Sequence, residues 1–104
     1  MKTILVVEDN PVEQKILKLG LEKANFKVVT ADNGFYAVDI LRDTPVDLII
    51  TDIMMSQMNG FRLIRLLKQD SEYKNIPLIV CSSMTDRKEI QKAVKLGADD
   101  YVIK

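Results

Sequence analysis

A chain of 104 residues has room for one domain, and its 47% apolar and 29% charged residues suit a packed core beneath a solvated surface. Fifteen basic residues balance fifteen acidic ones, for a formal net charge of zero, which argues against a nucleic-acid module and its usual basic excess. The absence of histidine removes a histidine-based triad and the usual zinc sites, and the single cysteine excludes an intramolecular disulfide.

Ile4-Leu5-Val6-Val7 is a continuous apolar run of strand length, too short for a signal peptide or a membrane span. A cytoplasmic location, with no membrane partner, is the expectation. Asn10-Pro11 then predicts a helix, asparagine at the N-cap and proline at the first helical position, ending near Asn25. Val12, Ile16, Leu19 and Lys23 share one stripe of it, and Leu17, Leu21 and Ala24 broaden the apolar side. Val28 to Ala31 reads as a second strand, and Asp32-Asn33-Gly34 as a turn into a helix with Ala37, Ile40 and Leu41 inward. Val46 to Asp52 is a third strand centred on Leu48-Ile49-Ile50.

Asn59-Gly60 precedes a third helix with Phe61, Ile64 and Leu67 on one face. Ile76-Pro77 restarts the chain into the strand Leu78 to Cys81, where Cys81 reads as a small buried hydrophobe. Asp86 and Glu89 predict a capping box for a fourth helix bearing Ile90, Ala93, Val94 and Gly97. Tyr101-Val102-Ile103 is a fifth strand. Alternation of strands apolar on both sides with helices calls for an α/β fold, a parallel five-stranded sheet joined by right-handed crossovers. Strand order 2-1-3-4-5 is a common solution.

Ligands of open α/β sheets bind beyond the carboxyl ends of the strands. The first strand ends in Glu8 and Asp9, the third in Asp52, the fourth in Ser82 and Ser83, and the fifth in Lys104. Three carboxylates at about 5 Å repel by about 3 kcal/mol per pair at an effective dielectric near 20. A hard divalent cation offsets that repulsion, and Mg²⁺ characteristically combines one or two carboxylates with waters and a phosphate oxygen. A carboxylate beside such an ion and a lysine is a workable nucleophile for an aspartyl phosphate. Any one acid at a strand end reads more readily as a turn or cap residue; the joint placement carries the inference.

These landmarks, Ile4-Leu5-Val6-Val7-Glu8-Asp9-Asn10, Asp47 to Met55, Met58-Asn59-Gly60 and Gly97 to Lys104, resemble the response-regulator receivers of two-component signalling over essentially the whole chain, residues 1–104. The resemblance implies a flavodoxin-like, doubly wound fold. It also implies Mg²⁺-dependent phosphoryl transfer (Mn²⁺ serving as well) to Asp52 from a phosphohistidine on a sensor histidine kinase or phosphotransfer protein, read out by an output domain or target protein. Such a domain is a switch that assists its own phosphorylation and dephosphorylation rather than an enzyme acting on others. Carried over, Glu8, Asp9, Asp52 and the carbonyl of Met54 form the metal site, Ser82 and Lys104 contact the phosphoryl group, and Ser82 with Tyr101 form the switch.

Three features depart from the family pattern. Ser56 stands where a proline is usual, and Phe35-Tyr36 where charged residues are common; the pair reads first as local packing at a helix start and second as a partner patch. The chain also ends at Lys104, before the usual fifth helix, so four helices are expected. One sheet face would then be partly bare, and a homodimer through it is expected. Among other readings, a flavin carrier conflicts with the acidic loop Glu8-Asp9-Asn10-Pro11, and a dehalogenase-like phosphatase wants an acid where Met54 stands. A pseudo-receiver acting only as an interaction module would typically lack an acid, the hydroxyl or the lysine. Arg87, Lys88, Lys92 and Lys95 alternate with Glu89 without an aromatic series, which reads as a solvated helix face and not as a direct nucleic-acid contact.

Overall fold

The computed structural model describes residues 1–55 and 57–104; Ser56, and with it the expected departure in the loop after Asp52, lies outside the described residues. In chain order the elements are β1 (Thr3–Val7), α1 (Pro11–Lys23), β2 (Lys27–Ala31), α2 (Gly34–Asp43), β3 (Leu48–Thr51), α3 (Gly60–Lys68), β4 (Leu78–Ser82), α4 (Arg87–Leu96) and β5 (Asp100–Ile103). The strands form one parallel sheet in the order β2-β1-β3-β4-β5. This is the doubly wound arrangement that the alternating elements called for. Its chain order reverses between β1 and β3, so the loops after those two strands diverge and leave a crevice.

Local chemistry explains where each helix starts. The Asn10 side chain accepts the N–H groups of Val12 and Glu13, with Pro11 at the first position. Asn33, Asn59 and Asp86 cap the other three helices, each accepting one backbone N–H. The helix α4 ends on Gly97, whose φ of 117° is the left-handed conformation glycine tolerates.

Strand alternation divides the apolar residues between two faces. Leu5, Val7, Ile49, Leu78 and Val80 join Ala37 and Leu41 of α2, Leu63, Ile64 and Leu67 of α3, and Ala93 of α4 in the main core. No α1 residue belongs to that core; Leu17 of α1 instead lines a depression with Cys81, from the opposite face of β4. Helix α1 thus lies alone on the second face, over β1 and β2. The apolar stripe expected of it lies outside the core: Val12, Ile16 and Leu19 are 65%, 65% and 51% exposed. Leu17 and Leu21 are the partly buried side chains, a quarter-turn or so around the helix.

Phe35 and Tyr36 also differ from expectation. Capping by Asn33 sets α2 with Gly34, Ala37 and Leu41 inward, which turns Phe35 and Tyr36 outward to 49% and 57% exposure. Among the described residues, no helix is long and apolar enough to cross a membrane.

Candidate functional site

Two of the strand-end acids singled out in the sequence, Glu8 and Asp52, meet on the ammonium of a third strand-end residue, Lys104. Lys104 Nζ lies 2.6 Å from Glu8 Oε1, 2.8 Å from Asp52 Oδ2 and 2.7 Å from Glu13 Oε2. Register makes this meeting necessary. Val7 pairs with Thr51, so Glu8 and Asp52, one residue further on, emerge side by side. Ser82 pairs with Ile103, and the Lys104 N–H donates to the Ser82 carbonyl. Counting by twos, Glu8 continues the face of Ile4 and Val6, Asp52 that of Leu48 and Ile50, and Lys104 that of Val102. All three therefore point to the α1 side.

The Asp52 carboxylate is nearly buried and held at both oxygens: Oδ1 accepts the Ile53 N–H at 2.7 Å, and Oδ2 accepts from Lys104. Gly60 sits directly behind it. A Cβ at Gly60 would fall 2.1 Å from the Asp52 carbonyl oxygen, so only glycine lets α3 begin this close to β3. The Gly60 N–H donates to the Ile53 carbonyl at 2.8 Å and pins the loop.

Glu13 was not singled out in the sequence. The signal was there: Pro11 at the first helical position puts Glu13 in the first turn, facing back toward the end of β1. One oxygen from each of Glu8, Glu13 and Asp52 lies within 4.8 Å of the others. Asp9, by contrast, is exposed and is not one of these three. Met54 follows Asp52 on the same loop with its side chain 67% exposed.

Crowding resolves itself in the proton affinities. Burial pushes the Glu8 carboxyl up to about 7, against the lowering effect of its bonds to Lys104 and the Asn10 N–H. The Lys104 bond holds the more exposed Glu13 below the ordinary carboxylate range. Burial works to lower the Lys104 pKa, but the bonds to Asp52, Glu13 and Glu8 outweigh it and hold the ammonium firmly protonated. Glu8 thus takes a proton before Glu13 does.

Ser82 and Tyr101 come from the other face. Ser82 is fully buried, and its Oγ accepts the Met84 N–H at 3.2 Å. The Tyr101 hydroxyl donates to the Met84 carbonyl at 2.8 Å. The two expected switch residues therefore grip the same residue of the β4–α4 loop.

Comparison with known proteins agrees with this geometry. The sequence profile of the response regulator receiver domain matches residues 4–104. The response regulator GtcR of Aneurinibacillus migulanus is 40% identical over 103 residues, which are 99% of this chain and 41% of GtcR; the chain thus spans about two-fifths of that relative. The Vibrio cholerae chemotaxis protein CheY4 superposes with a TM-score of 0.94 at 27% identity, covering 100% of this chain and 87% of CheY4. The Thermotoga maritima response regulator TrrA, solved in complex with Mg²⁺ and BeF, gives a TM-score of 0.89 at 29% identity over 100% of this chain and 87% of TrrA. A profile match over nearly the full length, with acids at the ends of β1 and β3 where the sheet order reverses and the lysine reaching them from the end of β5, places this chain in the response regulator receiver family.

Proposed function

We propose that this receiver accepts a phosphoryl group on Asp52. The observation that carries the reading is the Asp52 carboxylate itself, nearly buried yet held by Lys104 at the junction of two further carboxylates. In the reaction, an Asp52 oxygen bonds to phosphorus as the bond to the donor nitrogen of a phosphohistidine breaks, and that nitrogen leaves with its electron pair. Lys104 then shifts its hydrogen bonds from carboxylate to phosphoryl oxygen, and the Ser82 hydroxyl donates to another. The donor would be a histidine kinase or phosphotransfer protein, and the reader an output domain or separate target.

The donor set fits a hard divalent cation. Three carboxylates and one ammonium leave two negative charges when Glu8 is ionised, and every available ligand atom is oxygen. Glu8 and Asp52 would hold Mg²⁺ or Mn²⁺, Glu13 lies close enough to join them, and Asp9 and the Met54 carbonyl would complete the protein ligands. Bound there, the ion would neutralise charge that builds on the phosphoryl oxygens during transfer.

Phosphorylation would act on the surface through Met84. A hydroxyl–phosphoryl bond differs between the two states and so can bias them, drawing Ser82 from the Met84 N–H and loosening the loop that Tyr101 holds. Self-association through the exposed stripe of α1 belongs to the same reading, as a homodimer of two thinly covered faces.

The test of phosphorylation is direct. Incubation with acetyl phosphate and Mg²⁺, followed by peptide mass spectrometry, should place one adduct on Asp52. Equal labelling of an Asp52→Asn variant would overturn the assignment, and no labelling of the unaltered protein would favour a pure interaction module.

A further inference from the structure

Away from the carboxylate site, the surface departs most from evenness in its charge. Helices α3 and α4 carry seven of the chain's fifteen basic residues and, in Glu89, one of its fifteen acidic ones. Lys68 is engaged internally, donating to the Ile76 carbonyl at 2.9 Å and pairing with Asp99 at 3.1 Å. The other six, Arg62, Arg65, Arg87, Lys88, Lys92 and Lys95, are exposed, and among the described residues none pairs with a carboxylate. A chain of zero net charge thus presents one unneutralised cationic face.

That face is grooved. Arg62 and Arg65 of α3 and Lys92 of α4 flank a depression of about 320 Å³ floored by Phe61 and Leu96. It continues past Lys92 and Leu96 into a second stretch of about 460 Å³ beside Lys88 and Lys95. In the other direction it opens over Asn59 and Phe61 into an apolar hollow of about 500 Å³ lined by Ile53, Met54, Met55 and Met84. The result is one trough, methionine-rich at the end near Asp52 and basic along α3 and α4. Lys92 Nζ lies 4.4 Å from the centre of the Phe61 ring, drawn over the groove floor rather than out into water.

We propose that this trough docks an acidic, amphipathic segment of a partner protein, its apolar side chains seated among the methionines and Phe61 and its carboxylates against Arg62, Arg65, Lys88 and Lys92. Thioether side chains adapt to differing apolar shapes, cations on both walls select carboxylates, and a groove between two helices suits an amphipathic segment. Single-stranded nucleic acid fits less well: it requires successive aromatic faces for base stacking, and among the described residues Phe61 is the one aromatic lining the trough. A second copy of this chain also fits less well, because its exposed apolar stripe on α1 is flanked by Lys15, Lys18 and Lys23 and would meet like charge. Docking requires no modification at Asp52, although Met84, which phosphorylation would displace, lines the same trough.

The experiment titrates the ¹⁵N-labelled chain with a short leucine–glutamate peptide, leucines at i, i+3, i+4 and i+7, while amide shifts are followed. Its lysine-for-glutamate counterpart and a short oligothymidylate serve as the competing probes. The acidic peptide should move the signals of Phe61, Met84, Lys92 and Leu96. Arg62→Glu with Lys92→Glu should weaken it by about tenfold or more. Phe61→Ala should weaken it without changing the response to salt, and thermal melting would confirm that each variant is folded. Equal binding of the lysine peptide, tighter binding of the oligonucleotide, shifts confined to α1, or no shift at about millimolar peptide would each overturn the proposal.

Discussion

On one face of the sheet, three helices bury Leu5, Val7, Ile49, Leu78 and Val80 to 1% exposure or less; on the other, α1 covers β1 and β2, while Ile50, Ile79 and Cys81 stay only partly buried. The strands supply apolar residues to both faces, so strand composition sets what can be buried and the helices above decide what is. The difference also sorts the chemistry. Glu8, Asp52 and Lys104 rise at the top of the thin face, where a phosphodonor and ions can reach them. Ser82 and Tyr101 rise from the three-helix face, where a small movement is felt at once by the β4–α4 loop and α4.

The largest expected effect contrasts the two faces directly. Leu67→Ala, under α3, should cost about 2–5 kcal/mol in urea unfolding, the usual range for a buried leucine, because Leu67 is 1% exposed. Leu19→Ala, on α1, should change stability by about 0.5 kcal/mol or less, because Leu19 is 51% exposed. Equal losses would show that the two faces are covered alike. Next in size comes the seam between the three-helix face and the site. Gly60→Ala forces a Cβ to within 2.1 Å of the Asp52 carbonyl oxygen, and such overpacking typically costs about 1–3 kcal/mol. Labelling of Asp52 by acetyl phosphate should slow as well, since the loop must shift. A variant as stable and as fast as the parent would mean that α3 can slide away freely.

Much of this was legible in the sequence. Apolar runs of strand length, the Asn10-Pro11 helix start, and acids and a lysine at strand ends define both the sheet and the meeting of Glu8, Asp52 and Lys104. Glu13 was legible only as a first-turn residue of α1; that it meets Lys104 depends on the angle at which α1 leaves β1. The outward turn of Phe35 and Tyr36 was hidden for a similar reason: Asn33, read as part of a turn, is the cap that sets the phase of α2. The exposure of Val12, Ile16 and Leu19 could not be read either, since periodicity marks an apolar side without saying what lies opposite it.

A smaller effect should appear at the rim of the thin face as a pH dependence. Glu8 has its folded pKa raised from 4.5 to about 7 by burial. Between those values the folded chain holds a proton that the unfolded chain has lost, so stability falls as pH rises through that window and levels off above it. Thermal melting of metal-free protein should show this decline, and Glu8→Gln should flatten it. A profile that instead rises over the same interval would mean that Lys104 outweighs burial and keeps Glu8 ionised.

The smallest effect on the fold itself concerns the open stripe of α1. Val12, Ile16 and Leu19 follow helical spacing and stand more than half exposed. Ile16 also lines, with Leu17, Cys81, Glu13 and Lys104, a depression of about 260 Å³. Apolar side chains grouped in this way usually mark an interface, and two copies related by a two-fold axis would lay one stripe against the other. The lysines flanking the stripe repel across that axis, so the dimer should be weak, with a dissociation constant on the order of 100 µM, about 5.5 kcal/mol. Added salt should tighten it by screening those lysines. Light scattering over a concentration series should show the rise in mass, and Ile16→Glu should abolish it while leaving the melting temperature nearly unchanged, because Ile16 contributes little to the core. A mass that stays monomeric at several times that concentration, in low and high salt alike, would show that the stripe does not self-associate.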